Sequence, residues 1–545
     1  MLFFQGLGRA GPLGWLALGT ALLVMLPVAA VLASALGSGA GTWAHLAGTV
    51  LGRSVGNTAL LLLGVACGVS TMGVLAAWLV TSFRFAGRRA LEWALMLPLA
   101  MPAYVMAYAY TDWLQFSGPV QSALRALTGW QAREYWFPEV RSLGGAMVVL
   151  SLALYPYVYL IARAAFLDVS RSALEAARLA GRSPLECFRR VALPLARPAI
   201  VAGAALALME TLADFGTVSY FGLEVLTTAI FKAWLAMNDP AAAGQLSACL
   251  LGFVVVVVGV ERANRGRAAY HGPRKPALPQ PLRGWRSALA CAACAAPVAL
   301  GFLLPAGILV AHAATDPEAQ PGTRLATLAG NSVAIAAATA AIGALLATAM
   351  AYAARVCRAP AVAVANRIAG LGYAIPGAVI AVGVLLPLGR VDNWLAAQLE
   401  SLTGERAGLV LTGSAAALVF AYLVRFLAVA LQAMEAGLAR VTPSMDDAAR
   451  SLGQSPARAL ARVHAPLIAP SLATACLLLF VDVMKELPAT LAMRPFDFDT
   501  LAVEAYNLAR DERLAEAALP SLAIVAVALL PLVFVTRRYF QPTRS

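Results

Sequence analysis

The chain has 545 residues, of which 61% are hydrophobic and only 13% are charged, and its mean hydropathy is +0.75. Soluble domains are more polar than this, so the composition excludes a soluble globular enzyme and indicates many membrane-spanning helices. The formal net charge is +13, but the 41 basic residues lie in short loops between apolar runs, which is not the distribution of a nucleic-acid-binding surface.

Twelve apolar segments are long enough to cross a bilayer, since a spanning helix needs about 20 residues. They lie at about 13–36, 57–82, 90–112, 143–167, 198–220 and 242–260, and then at about 288–313, 331–354, 368–389, 409–433, 469–492 and 518–536. A stretch rich in arginine and proline separates the two sets. The sequence therefore predicts an all-α membrane protein with six helices in residues 1–260, a cytoplasmic linker at 261–287, and six helices in residues 288–545.

The distribution of basic residues predicts the orientation of these helices. With the N-terminus in the cytoplasm, 27 of the 41 lysines and arginines fall on the cytoplasmic side, as the positive-inside rule requires. Because each half then crosses the membrane an even number of times, the halves are predicted to be parallel repeats. We expect a multi-pass protein of the bacterial inner membrane with both termini in the cytoplasm.

A polar segment follows the fourth apolar segment of each half. Residues 172–198, the first loop, and residues 444–470, the second loop, are identical at twelve of 27 positions with a constant offset of 272. The candidate docking residues are Glu175, Ala176, Ala177, Gly181, Pro184 and Pro194 in the first loop, and Asp447, Ala448, Ala449, Gly453, Pro456 and Pro466 in the second. One such loop is most simply a solvated connection, but its duplication in an apolar chain favours a docking element for a soluble partner.

Turn and cap residues predict two short helices in each loop. In the first loop, Gly181 stands where a helix ends in a left-handed residue, and Ser183 with Glu186 predicts a capping box at the start of the next helix. The second loop keeps the glycine at Gly453, but Arg458 stands where the box needs a glutamate. A compact helix–glycine–helix unit of this kind fits a groove on a partner protein.

Charged residues also lie inside the fifth apolar segment of each half. Glu210 and Asp214 are four residues apart, as are Asp482 and Glu486, so each pair is predicted to share one helical face. Because ionised groups are costly within a membrane, these side chains should face the protein interior. They either line the translocation path or form a structural ion-pair network in which Lys485 bridges the two halves. Lys485 argues against a permanent metal site, and the scattered histidines form neither a metal motif nor a catalytic set.

The repeated loop resembles the EAA loop of ABC-importer permeases, which in that family docks on the ATP-hydrolysing subunit. The resemblance implies the type I ABC importer permease fold, with two copies of an ATPase subunit and an extracytoplasmic substrate-binding protein as partners. This chain has no GxxxxGK[ST] motif and so no P-loop. We therefore expect ATP to bind to the partner ATPase, and this chain to bind no cofactor and to be no enzyme.

The sequences around the intramembrane charges narrow the resemblance. ETLADFGTV at 210–218 and KELPATL at 485–491 resemble the fused permeases of iron(III) importers and, less closely, fused thiamine and phosphonate permeases. This resemblance implies that ferric iron is taken up from the binding protein by ATP-driven alternating access. A thiamine or phosphonate permease stays open as an alternative, and so does a secondary transporter with parallel repeats.

Overall fold

The computed structural model describes residues 11–37, 40–131, 134–168, 176–177, 179–264, 279–315, 322–357, 359–404 and 408–539, and at residues 40 and 534–539 it describes the backbone only. Its α-helices in the first part of the chain are α1 Gly11–Gly37, α2 Ala40–Thr49, α3 Leu51–Ser82, α4 Arg88–Ala94, α5 Ala103–Leu114, α6 Pro119–Thr128, α7 Leu143–Asp168, α8 Pro184–Cys187, α9 Leu193–Ala213, α10 Gly216–Tyr220, α11 Leu226–Phe231 and α12 Pro240–Asn264. Those that follow are α13 Trp285–Val298, α14 Leu304–Thr315, α15 Thr323–Val356, α16 Pro360–Ala369, α17 Gly377–Thr403, α18 Ala415–Leu438, α19 Pro443–Ser451, α20 Pro456–Ala459, α21 Ala465–Met484, α22 Pro488–Met493, α23 Leu501–Arg510 and α24 Leu514–Tyr539.

The prediction of an all-α membrane protein is confirmed. Within the described residues, eleven helices are long and apolar enough to span a membrane, and a twelfth span results if the bent pair Arg88–Ala100 and Ala103–Thr128 is counted as one. Large apolar side chains such as Leu22, Leu63 and Val255 stay exposed on these helices. Lipid tails are as apolar as leucine, so such positions suit a lipid-facing surface.

Both predicted third spans are broken at a proline. In the first half the chain bends by 93° between the two helices of that pair, and Pro102 precedes α5. In the second half Pro376 precedes α17 in the same way. The residue before each proline, Met101 or Ile375, has an extended backbone, because the proline ring disfavours the helical conformation at that position.

One compact unit, unit 1, contains the described residues of Met1–Thr49, Ala229–Leu251 and Pro321–Glu504. Its helices α15, α18 and α21 pack against one another, and α1 packs against α15, α16 and α17. The helices α1 and α17 approach closely because Gly383 has no side chain: a Cβ there would lie 2.4 Å from the carbonyl oxygen of Pro27. Small residues permit such close packing of membrane helices.

The other compact unit, unit 2, contains the described residues of Val50–Thr228, Gly252–Gln320 and Ala505–Ser545. Its helices α3, α7 and α9 pack against one another, and α24 packs against α14 and α5. The two-residue strands β1 Phe83–Arg84 and β2 Gln280–Pro281 pair in parallel.

These compact units do not follow the two sequence halves. The first helix of the chain belongs to unit 1, together with most of the second half, and the last helix belongs to unit 2. The boundaries of the predicted linker are shorter in structure, since α12 continues to Asn264 and α13 begins at Trp285. The division at 260 and 288 stays a prediction about the sequence repeat, which packing does not reproduce.

Candidate functional site

The first loop contains the predicted helix end. Ala176 and Ala177 are helical, the N–H of Arg182 donates to the carbonyl of Ala177 at 3.1 Å, and Gly181 has a φ of +76°. This bond around a left-handed glycine is a Schellman motif, which satisfies carbonyls that the helix end leaves open. Glu175, which was predicted to belong to this helix, lies outside the described residues.

The second loop has the same geometry. The N–H of Gln454 donates to the carbonyl of Ala449 at 3.0 Å, the N–H of Gly453 donates to that of Arg450 at 2.9 Å, and Gly453 has a φ of +71°. Asp447 is exposed and forms an ion pair with Arg450 at 2.8 Å, and Ala448 accepts the N–H of Leu452 at 3.1 Å. The repeated sequence therefore encodes the same helix end twice.

The caps that follow each glycine differ as predicted. Ser183 and Glu186 form a complete capping box, and Pro184 stands in the first turn of α8. Ser455 accepts the N–H of Arg458, and Pro456 opens α20. Without a glutamate at that position, the second loop lacks the reciprocal hydrogen bond of a capping box.

A π-turn joins each loop to the next long helix. It spans Phe188–Ala192 before α9 and Leu460–His464 before α21, again 272 residues apart. Pro194 and Pro466 stand in the first turn of those helices. A proline has no N–H and leaves the carbonyl four residues earlier without its helical donor, so each turn widens just before it. The sequence analysis missed these π-turns, although the two prolines were their signal.

The two loops rest on different side chains. Beneath the first loop, Trp78 packs against Phe166 and Phe188 with ring centroids 5.4 Å and 5.1 Å away, and Cys187 is buried against Trp78. This support is apolar and aromatic, so it is insensitive to charge.

The second loop rests on a polar cluster, which we call the lower lock: Tyr352, Arg355, Asp446 and His464. Arg355 donates to Asp446 Oδ2 at 2.8 Å and to the carbonyls of Leu438 and Val441 at 2.7 Å and 2.8 Å. His464 is buried, with Nε2 2.6 Å from Asp446 Oδ1, and Tyr352 donates to the carbonyl of Pro456 at 2.9 Å. Partial burial raises the pKa of Asp446, but the hydrogen bonds and charges of Arg355 and His464 outweigh burial and hold that pKa below its usual range.

Sequence reasoning missed the lower lock because its members are far apart in the chain. His464 was grouped with scattered histidines, and Arg355 was counted only as a basic loop residue. Their positions in the repeat were the available signal, since the first half has Thr81 and Ala192 at the equivalent places.

The intramembrane carboxylates end helices. The helix α9 ends at Ala213 and α21 ends at Met484, so the prediction that each carboxylate pair lies on one continuous helical face is wrong. Asp214 Oδ1 accepts the N–H groups of Thr217 and Val218 at 3.1 Å and 3.2 Å, which caps α10. A span that stops inside the membrane leaves open N–H groups, and a carboxylate supplies their acceptor.

Glu486 caps α22 in the same way. Its two oxygens accept the N–H groups of Ala489 and Thr490, both at 3.0 Å, and Oε1 also accepts a hydrogen bond from Arg425 at 3.1 Å. Arg425 lies in α18 and was not singled out from the sequence, although an arginine within an apolar span was a visible signal. These contacts favour the structural interpretation of Asp214 and Glu486.

The remaining intramembrane charges lie one turn earlier. Asp482 and Lys485 form an ion pair at 2.9 Å inside unit 1, while Glu210 is half-buried near the end of α9 in unit 2. Lys485 therefore has a partner on its own helix. A role of these three residues in the translocation path stays a prediction. Within the described residues, no three side chains of His, Cys, Asp or Glu are grouped so that they could hold a metal ion.

Comparison with known proteins gives the chain its class. Residues 69–265 match the family described as binding-protein-dependent transport system inner membrane component. The chain is 26% identical over 490 residues to the Fe(3+)-transport system permease protein FbpB 2 of Haemophilus influenzae, covering 89% of each protein. The chain is the permease subunit of an ABC importer.

Two further relatives of this permease differ in length. The probable ABC transporter permease protein y4fN of Sinorhizobium fredii is 25% identical over 462 residues, which cover 79% of this chain and 77% of the relative. The sulfate transport system permease protein CysT of Salmonella typhimurium is 26% identical over 194 residues, which cover 34% of this chain and 67% of the relative. The predicted resemblance to fused ABC permeases of the iron(III) type is confirmed, and so is the predicted fold class. A permease of this family is an integral multi-pass membrane protein that works with an ATPase and a substrate-binding protein.

Proposed function

We propose that this ABC permease imports ferric iron delivered by an extracytoplasmic binding protein. The observation that carries the proposal is the match to an Fe(3+) permease along 89% of both chains. The match extends over both halves, including the two intramembrane signatures at 210–218 and 485–491. A relative that covers both halves is better support for a substrate than one that aligns with a single half.

The two loops are proposed to dock on two copies of the ATPase subunit. Each loop exposes a leucine at the end of its first helix: Leu179 is 90% exposed and Leu452 is 78% exposed. Apolar side chains at the tip of a polar loop suit a buried partner contact. The Schellman glycines Gly181 and Gly453 give both loops one shape, as two identical partner subunits require.

ATP is proposed to bind and be hydrolysed on the ATPase, so that this chain binds no cofactor and forms no covalent intermediate. Hydrolysis would move each docked loop, and the π-turn beyond it would pass that movement to α9 or α21. The positive-inside distribution supports a bacterial inner-membrane location with both termini and both loops in the cytoplasm. The binding protein then docks on the opposite side.

Sulfate import is the second candidate, because residues of this chain align with a sulfate permease at 26% identity over 194 residues. Uptake by cells that carry this permease with its own ATPase and binding protein separates the candidates. We expect accumulation of radioactive iron supplied as a ferric salt and none of radioactive sulfate. Thiamine and a phosphonate are included as further substrates. Energy-dependent uptake of any of these without iron uptake would overturn the iron proposal, while uptake without the ATPase would favour a secondary transporter.

A further inference from the structure

The lower lock differs from the support of the first loop in one chemical respect: it contains a shared proton. His464 Nδ1 lies 3.0 Å from the carbonyl oxygen of Ala459, and Nε2 lies 2.6 Å from Asp446 Oδ1. A carbonyl oxygen only accepts hydrogen bonds, and so does an ionised carboxylate. Both ring nitrogens must therefore donate, which requires the doubly protonated imidazolium form of His464.

The alternative location for the proton is Asp446, and the surroundings oppose it. Arg355 also donates to that carboxylate, at 2.8 Å, and the pKa of Asp446 is held below its usual range. One carboxylate thus lies between two cations, Arg355 and His464. If His464 loses a proton, the lone pair of Nε2 faces Asp446 Oδ1 across a hydrogen-bond distance, which is repulsive.

The groups that face His464 come from three elements. Tyr352, whose ring lies 5.3 Å from the imidazole, and Arg355 belong to α15. Asp446 and the exposed Arg450 belong to α19, and the exposed Arg458 and Arg462 belong to the helix and π-turn around His464 itself. Asp446 is thus the anionic group facing the imidazole among these residues, and its contact holds α19 to the π-turn.

We propose that His464 is a positioning residue for the second loop, which it holds in place only while protonated, so that docking of the ATPase through this loop weakens as the pH rises. The proposal rests on the proposed docking role of the loops. Histidine is the side chain that changes charge between about pH 5 and 8. The first loop has Ala192 at the equivalent position and a support without ionisable partners, so its docking should not follow pH.

The first test is hydrogen exchange of the purified permease in nanodiscs, without the ATPase, at pH 6 and pH 8.5. After division by the intrinsic amide rates, protection of residues 443–464 should fall about ten- to hundredfold at the higher pH, the effect of one lost hydrogen bond between charged groups. Residues 179–192 of the first loop are the internal control and should not change. Equal protection of the second loop at both pH values would overturn the proposal.

Asp446→Asn is the matched variant. The amide oxygen can still accept from Arg355 and the amide N–H can donate to a neutral His464, so the second proton is no longer needed. D446N should therefore show protection that is independent of pH, and H464A should show low protection at both pH values. A pH response in D446N equal to that of the wild type would contradict the shared proton.

Binding of the partner ATPase to the nanodiscs then tests the functional part. Affinity should fall about tenfold or more between pH 6 and 8.5 for the wild type and stay constant for D446N. If affinity does not follow the exchange result, His464 does not position the loop for docking and the proposal fails. Gly453→Pro separates this failure from that of the proposed function: unchanged ATPase binding in that variant would show that the loop does not dock at all.

Discussion

Arg425 and Glu486 form an ion pair inside the membrane-spanning part of unit 1, with Nη1 3.1 Å from Oε1 and side chains that are 9% and 1% exposed. The same carboxylate caps α22, so it joins a broken span to α18. In the first half Asp214 caps α10 alike, but Ala153 stands 272 residues before Arg425. The repeat therefore preserved the cap and not the cation.

Replacement of Arg425 tests this pair. Arg425→Met should leave Glu486 buried without its cation and lower the stability by about 3–5 kcal/mol, the usual result of removing one partner of a buried pair. Thermal unfolding in detergent measures the loss. The double variant R425M/E486Q should recover part of it, because glutamine is neutral and still accepts from the N-terminal N–H groups of α22. Equal stability of R425M and the wild type would show that the pair is not structural.

The cap at Asp214 gives a second prediction. Asp214→Ala removes the acceptor of two backbone N–H groups and the Thr217 hydroxyl, and it should cost about 1–2 kcal/mol. Asp214→Asn keeps an acceptor and should lose less. Melting in detergent beside uptake assays checks both variants. Glu224→Ala is the control, since it removes an exposed ion pair with Arg53 that contributes little. If D214N instead abolishes uptake at unchanged stability, Asp214 belongs to the translocation path.

The sequence predicted what depends on local pattern. Apolar runs located the spans, and Gly181, Gly453 and the Ser183–Glu186 box located the turns of the loops, because each is determined within a few residues. The end of α9 at Ala213 was missed since the residues on both sides are apolar and continue a helical pattern. There the intramembrane Asp214, which was known from the sequence, was itself the cap.

Long-range contacts could not be predicted from the sequence. Arg355, Asp446 and His464 lie on separate elements and meet only after α15, α19 and the π-turn have packed together. The placement of α1 in unit 1 beside α17 likewise depends on close packing, such as that of Gly383 on Pro27, and not on a local pattern. A repeat in sequence thus predicted the shared geometry of the loops but not their different supports.

The lower lock should also weaken in acid. Asp446 has a pKa below the ordinary value of about 3.9, so its contribution to stability is fully present above that value and is lost as the pH falls through the lower, folded-state pKa. Protection of residues 443–464 from hydrogen exchange should therefore decrease below about pH 4. D446N should lack this acid response while the first loop behaves identically in both proteins. An acid response that D446N retains would assign it to another carboxylate.

The left-handed glycines of the two loops give the sharpest test of docking. Gly181 has a φ of +76° and Gly453 a φ of +71°, whereas proline is restricted to about −65°, so Gly181→Pro and Gly453→Pro must each reorient the helix that follows. We expect both variants to insert into the membrane but to lose ATPase binding and uptake by at least about tenfold. Gly129→Pro is the matched control, because Gly129 also ends a helix with a φ of +73° and lies outside both loops. It should bind the ATPase normally. Normal ATPase co-purification and uptake in both loop variants would contradict the docking role, and equal loss in all three variants would show a general folding defect in place of a specific one.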